Sequence, residues 1–142
     1  MIETEVLSVI RAQEEATARG DARSVVEAMS PDVVVFDLPP PLVYSGEQAR
    51  DIDMAAGWFA TWRDGVTVHL ADPQIIVDGD LAVVFGLSRM TGMKTDGIKV
   101  DSWSRRTLVL QRNDGAWKIV HEHASFPMAM DGSSRAVTDL VP

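Results

Sequence analysis

No cysteine occurs among the 142 residues, which excludes disulfide staples, thiolate metal ligands and a cysteine nucleophile. Tyrosine occurs once and histidine three times, so chemistry that needs a phenol or an imidazole has few places to sit. Basic residues are also in short supply. Thirteen Lys and Arg stand against 21 Asp and Glu, for a formal net charge of -8. With no basic run anywhere, the chain has nothing to set against a phosphate backbone, and no nucleic-acid partner is expected. Long apolar runs are missing too: none approaches the roughly 20 residues of a membrane-spanning helix. The opening MIETEVLSVIRAQEE lacks the basic start and apolar centre of a signal peptide. The expectation is a cytoplasmic protein with no membrane partner. Neither a phosphate-binding loop nor a G-x-G-x-x-G fingerprint occurs, so no cofactor is expected.

What is present is enough apolar material for one core: 46% of residues are hydrophobic, in a length that suits a single domain. Ile2, Val6, Val9 and Ile10 recur at helical spacing, and Gly20 marks a stop. Asp21 can cap a short second helix running to about Met29. The run DVVVF reads as a strand ending at Asp37, before the rigid prolines 39–41. Ser45 with Gln48 has the form of a capping box opening a helix to about Trp62. Four β-like runs follow, at about 66–77, 81–91, 99–112 and 116–126, separated by Asp-Gly turn signals. Helices first and a hairpin-connected antiparallel sheet afterwards predict an α+β domain. Its form is a cone of N-terminal helices packed on a curved antiparallel sheet around a conical pocket. The cone occupies residues 1–130, and a polar, aperiodic C-terminal tail residues 131–142.

The stretch WKIVHEHASFP sets His121 and His123 on one strand face and Glu122 on the other. A three-residue loop with Gly115 in a bulge position sets Arg106 opposite Glu122 and Leu108 opposite Val120. Trp117 and Ile119 then share the histidine face. Neither face is cleanly polar, so one is expected to carry helices and pocket and the other a second subunit.

Two stretches, ARGDARSVVEAMSPDVVVFDLPPPLVYSGEQA and DSWSRRTLVLQRNDGAWKIVHEHASFP, resemble the SnoaL-like and ketosteroid-isomerase-like members of the nuclear-transport-factor-2-like superfamily. Their element order is similar over about residues 5–127. The resemblance implies a small-molecule pocket and a homodimer through the sheet. It places Asp37 where the isomerases carry a general-base aspartate. Where those enzymes carry an oxyanion tyrosine and a protonated aspartate, this chain has Gln13 and Leu108. By the same alignment Leu108, Val120, Glu122 and Ala124 have pocket-facing parity, which turns the histidines outward.

Each candidate has a functional and a structural reading. Asp37 is a catalytic base with its pKa raised by an apolar pocket, or a turn aspartate ending a strand. Glu122 is an acid or base, or the ion-pair partner of Arg106. Arg106 or Arg89 could hold a substrate carboxylate. His123 is the pocket's acid-base group or a structural histidine in the sheet. Tyr44, Trp58, Phe59 and Trp62 line an apolar ligand or belong to the core. A metal site is not expected: a catalytic zinc takes three protein ligands, and no spacing brings His69 to His121 and His123. Function divides the same way. One reading is cofactor-independent proton transfer on a partly apolar substrate, as in an isomerase, dehydratase, cyclase or hydrolase. The other is a non-catalytic ligand-binding or assembly domain.

Overall fold

A computed structural model describes residues 1–142. Helix α1, Ile2–Ala18, buries Val6, Ile10, Gln13 and Ala16 along one stripe, as the helical spacing predicts. The chain turns away at Gly20, whose φ is 71°. Asp21 caps α2, Ala22–Glu27, by accepting the Ser24 N–H at 3.1 Å. Strand β1, Met29–Phe36, follows, then the short β2, Tyr44–Ser45.

The expected single helix from Ser45 to Trp62 is instead two. Ser45 makes no side-chain capping bond to α3, Gly46–Ala49, whereas Asp51 accepts the Met54 N–H at 3.0 Å and opens α4, Ile52–Phe59. Trp62 begins a strand rather than ending a helix, because it pairs with Lys94. The four long strands are β3, Trp62–Asp78; β4, Leu81–Lys94; β5, Lys99–Asn113; and β6, Ala116–Ser125.

The six-stranded sheet has the order β2-β1-β6-β5-β4-β3. Strands β3 to β6 form an antiparallel meander, as the turn signals predict. Strand β1 joins β6 in parallel, which makes the whole sheet mixed. Strand β3 is interrupted between Ala71 and Gln74, where Asp72 takes a φ of 42°. Beside that break the Glu14 carboxylate accepts the Leu70 N–H at 2.7 Å, a bond from helix to kinked strand.

The core lies between α1 and the concave side of the sheet. Val6 and Ile10 pack with Leu70, Val84, Leu108, Leu110 and Ile119, all at 0% exposure. Burying each such side chain contributes about 1.5–3 kcal/mol. No helix is long and apolar enough to cross a membrane. Beyond β6, Met128 bridges Ala136 in a small hairpin within the final segment.

The closing hairpin corrects the expected register. Asn113 pairs with Ala116, leaving the two-residue loop Asp114–Gly115, whose φ values of 51° and 79° suit a type I′ turn. An irregularity then follows, in which Leu110 faces Ile119, Val109 faces His121, and Val120 is the extra residue. Trp117 and Ile119 therefore lie on the core face and not with the histidines. The shorter loop and the bulge together shift the pairing by two residues, so Glu122 keeps its expected face. Its direct partner is Leu108, and Arg106 faces Ala124.

Candidate functional site

Parallel pairing of β1 with β6 sets Val35 beside Glu122, and Val34 and Phe36 beside the two histidines. Val35 is buried and Phe36 exposed, so the next alternation turns Asp37 toward the Glu122 side. There Arg106 reaches diagonally across the hairpin, its Nε donating to Glu122 Oε1 at 2.6 Å. Both side chains are largely buried, at 10% and 18% exposure. The second guanidinium contact, from Nη2 to Gln13 Oε1, is long at 3.5 Å. Gln13 is held in place by donating its Nε2 to the Val25 carbonyl at 3.1 Å.

This pair sets the electrostatics of Asp37. Surrounding protein raises the pKa of its carboxyl above the ordinary value, although the residue as a whole is exposed. The Leu38 N–H, donating to Oδ1 at 2.7 Å, pulls the other way. The Glu122 charge adds to the rise and the Arg106 charge opposes it. Burial pulls the Arg106 guanidinium down, but Glu122, Glu14 and Asp37 together outweigh it and hold it above its usual range. The arrangement is a carboxyl that retains its proton more readily than usual, beside an ion pair whose charges largely cancel.

The remaining candidates lie apart from this group. His123 faces Thr107 on the outer side of the sheet, with the Phe36 ring edge-on to it at 5.4 Å. It does not share a face with Asp37 or Glu122, which removes the basis for an acid-base role in their site. His121 donates from Nδ1 to the Val34 carbonyl at 2.6 Å, the behaviour of a structural histidine. Arg89 also lies on the outer parity and makes two bonds to Asp101, at 2.9 and 2.8 Å. It is not aimed at the concave face. Leu108 is on that face but fully enclosed, and half-buried Val120 is the bulge residue. Tyr44 packs against the core and donates its hydroxyl to the Pro40 carbonyl at 3.0 Å.

The Trp58 ring meets Trp62 edge-on at 5.7 Å, and Lys94 Nζ sits 3.9 Å above the Trp62 ring and bonds Thr61. Trp62 is buried and Trp58 partly exposed. No three His, Asp or Glu side chains come together in a way that could hold a metal. Two open grooves lie elsewhere, one along Asp64, Arg89 and Asp101, the other between Ser24, Glu27 and Lys118.

Sequence reading missed Gln13 and Glu14 as functional neighbours. The available signal was a glutamine inside an otherwise apolar helical stripe, since a buried amide implies a polar partner across the interface.

A family model described as the SnoaL-like domain matches residues 6–129. Among solved structures, a nuclear-transport-factor-2-like protein of unknown function from Pseudomonas putida has a TM-score of 0.86 and 26% identity, covering 99% of this chain and 96% of its own. A candidate dehydratase of the same superfamily from Streptomyces avermitilis gives a TM-score of 0.74 at 22% identity, covering 89% and 96%. A candidate ketosteroid isomerase from Shewanella frigidimarina gives 0.67 at 26% identity, covering 85% and 94%. No curated protein matches the chain.

Proposed function

The chain belongs to the SnoaL-like domain family, and on that premise we propose that it binds a partly apolar small molecule and moves a proton on it without a cofactor. Asp37 is the base. Its carboxylate removes a proton from the carbon beside a carbonyl, and the electron pair moves onto the carbonyl oxygen as an enolate. In a β,γ-unsaturated ketone, returning that proton to the γ-carbon shifts the double bond and isomerises the substrate; in a β-hydroxy ketone the enolate expels the β-hydroxyl, which leaves as water with the proton Asp37 removed. Arg106 has N–H groups beyond the one used by Glu122, and these supply donors to the developing oxygen charge. Gln13 and Glu122 are positioning residues that hold the guanidinium.

One observation carries this reading: Asp37 combines a raised pKa with the neighbouring Arg106–Glu122 pair. A base poised nearer neutral pH is a better proton acceptor than an ordinary carboxylate. The test is deuterium incorporation at the α-carbon of enolisable ketones such as 2-tetralone, followed by NMR with wild type and Asp37→Asn. Wild type is expected to exceed buffer, and the variant to lose roughly 10²–10⁴-fold. Binding without exchange by either protein would favour a ligand-binding domain instead.

A homodimer through the sheet is part of the same proposal. Its support is the outer face, where Phe36, Ile76, Leu81 and Leu87 are 38%, 60%, 46% and 40% exposed. Large apolar side chains left exposed on a sheet face favour burial against a partner.

A further inference from the structure

Of the two open grooves, the one between α1, α2 and the start of β6 shares a residue with the proposed site. Gln13 lines it and also accepts the long contact from Arg106 Nη2 at 3.5 Å. Small side chains at Ala12, Ser24 and Ala28 keep the facing turns of the two helices apart and leave a volume of about 340 Å³. That is room for a molecule the size of an amino acid. Val9, Ala28 and Trp117 give the groove an apolar side.

Its charged groups are only partly matched. Arg19 is held by Asp21 at 3.3 Å. Lys118 enters no ion pair: its Nζ donates at 2.6 Å to the backbone carbonyl of Glu27, a neutral acceptor, and two of its three N–H groups remain. The Glu27 carboxylate is unpaired as well. Trp117 adds a third unmatched group, since it is 6% exposed and its Nε1 is enclosed with no acceptor. Buried donors of this kind are rarely left without a partner. A cation, an anion and an enclosed donor thus surround one apolar wall.

The end of α2 connects this groove to Arg106. A helix leaves its last carbonyls without partners inside the helix, and here groups from outside take them. Gln13 Nε2 donates to the Val25 carbonyl at 3.1 Å, Lys118 to that of Glu27, and the Ile119 N–H to that of Ala28 at 2.9 Å. The same short helix therefore holds both the groove's unpaired ammonium and the amide that meets Arg106.

We propose that the groove is an effector site for a small zwitterion with an apolar body, an α-amino acid of the phenylalanine kind, and that Gln13 transmits its occupancy to Arg106. Lys118 takes the carboxylate, Glu27 takes the ammonium, and the side chain lies against Trp117. Drawing Lys118 toward the bound carboxylate slackens the end of α2, and Gln13 moves with the Val25 carbonyl. Its contact with Arg106, at 3.5 Å, has room to shorten. The second half of the inference rests on the proton-transfer reading, because it makes the groove a control on the donor that stabilises the enolate.

NMR titration of wild type with L-phenylalanine, followed at the Trp117 Nε1–H and Arg106 Nε–H signals, tests both halves. Both signals are expected to shift saturably with a common midpoint. Phenethylamine, which lacks the carboxylate, should bind roughly tenfold more weakly, and hydrocinnamate, which lacks the ammonium, roughly threefold. Lys118→Met should remove the preference for phenylalanine over phenethylamine. Gln13→Met should leave the Trp117 shift in place and silence the Arg106 response. Equal binding of the three compounds, or no shift at Trp117, overturns the site. An Arg106 response that persists in Gln13→Met, or is missing in wild type, overturns the relay. Exchange of α-protons into 2-tetralone, measured with and without phenylalanine, separates this inference from the reading beneath it. A changed rate supports both, and an unchanged rate at saturation overturns the control. Arg106 signals that respond in a protein showing no exchange keep the effector site and remove the chemistry, whereas exchange with no shift at Trp117 does the reverse.

Discussion

Asp37 sits in a place that favours the neutral form of its carboxyl. Its native pKa lies above the ordinary 3.8, so the folded state holds this proton more tightly than the unfolded chain. The contribution to stability is greatest below about pH 3.8 and is lost as pH rises through the native value. Asp37→Asn should therefore be more stable than wild type at pH 7, by a few degrees in Tm at most, with the gap closing in acid. A wild type at least as stable as the variant at pH 7 would contradict the account. Glu122→Gln removes a charge that raises the Asp37 pKa and leaves Arg106 uncompensated, so both effects lower it. A carbon-detected NMR titration should show Asp37 titrating at lower pH in that variant than in wild type. Arg106→Met strands a largely buried carboxylate and should cost roughly 3 kcal/mol in chemical denaturation. Asp37, Arg106 and Glu122 were legible in the sequence because a carboxylate ending an apolar strand and opposite charges on a hairpin are local patterns. The contact of Gln13 with Arg106 was not, because it depends on which strand lies opposite the first helix.

The elements were easier to recognise than their ends. Two possible caps, Ser45 and Asp51, stand six residues apart, and the side-chain bond goes to Asp51. Local spacing alone does not decide between them. In the closing hairpin Asn113-Asp114-Gly115 fits a two- or three-residue loop, and the two-residue loop places Trp117 and Ile119 in the core. The bulge at Val120 left no signal of its own, since valine suits any strand position. Glu122 nevertheless kept its face because the two departures offset each other. Helix α4 contains no fully buried residue, which makes its cap matter: Asp51→Ala should cost about 1 kcal/mol, measurable as faster amide exchange in residues 52–59. Gly92→Ala should be worse. Its Cβ would meet the Trp62 ring, so the indole must shift at a cost of about 1–3 kcal/mol, with a change in tryptophan fluorescence. Unchanged fluorescence and stability would mean that Trp62 does not lie against that strand.

For the whole molecule, a helix-then-sheet order was sufficient to establish an α+β cone, whereas the parallel contact of β1 with β6 joins residues too far apart in sequence for any turn signal to report. The outer face poses the matching question of assembly. Sedimentation at micromolar concentration should give twice the 15.5 kDa chain mass, and Leu87→Asp should return the monomer. A monomeric wild type would remove the dimer from the account without touching Asp37. The pH profile of α-proton exchange into 2-tetralone, measured side by side for wild type and Asp37→Asn, tests the central claim most directly. The account predicts that wild-type exchange rises along a single acid limb with its midpoint above the ordinary carboxylate value, and that the variant stays near buffer throughout. Wild-type exchange no faster than buffer, or a variant as fast as wild type, would contradict it.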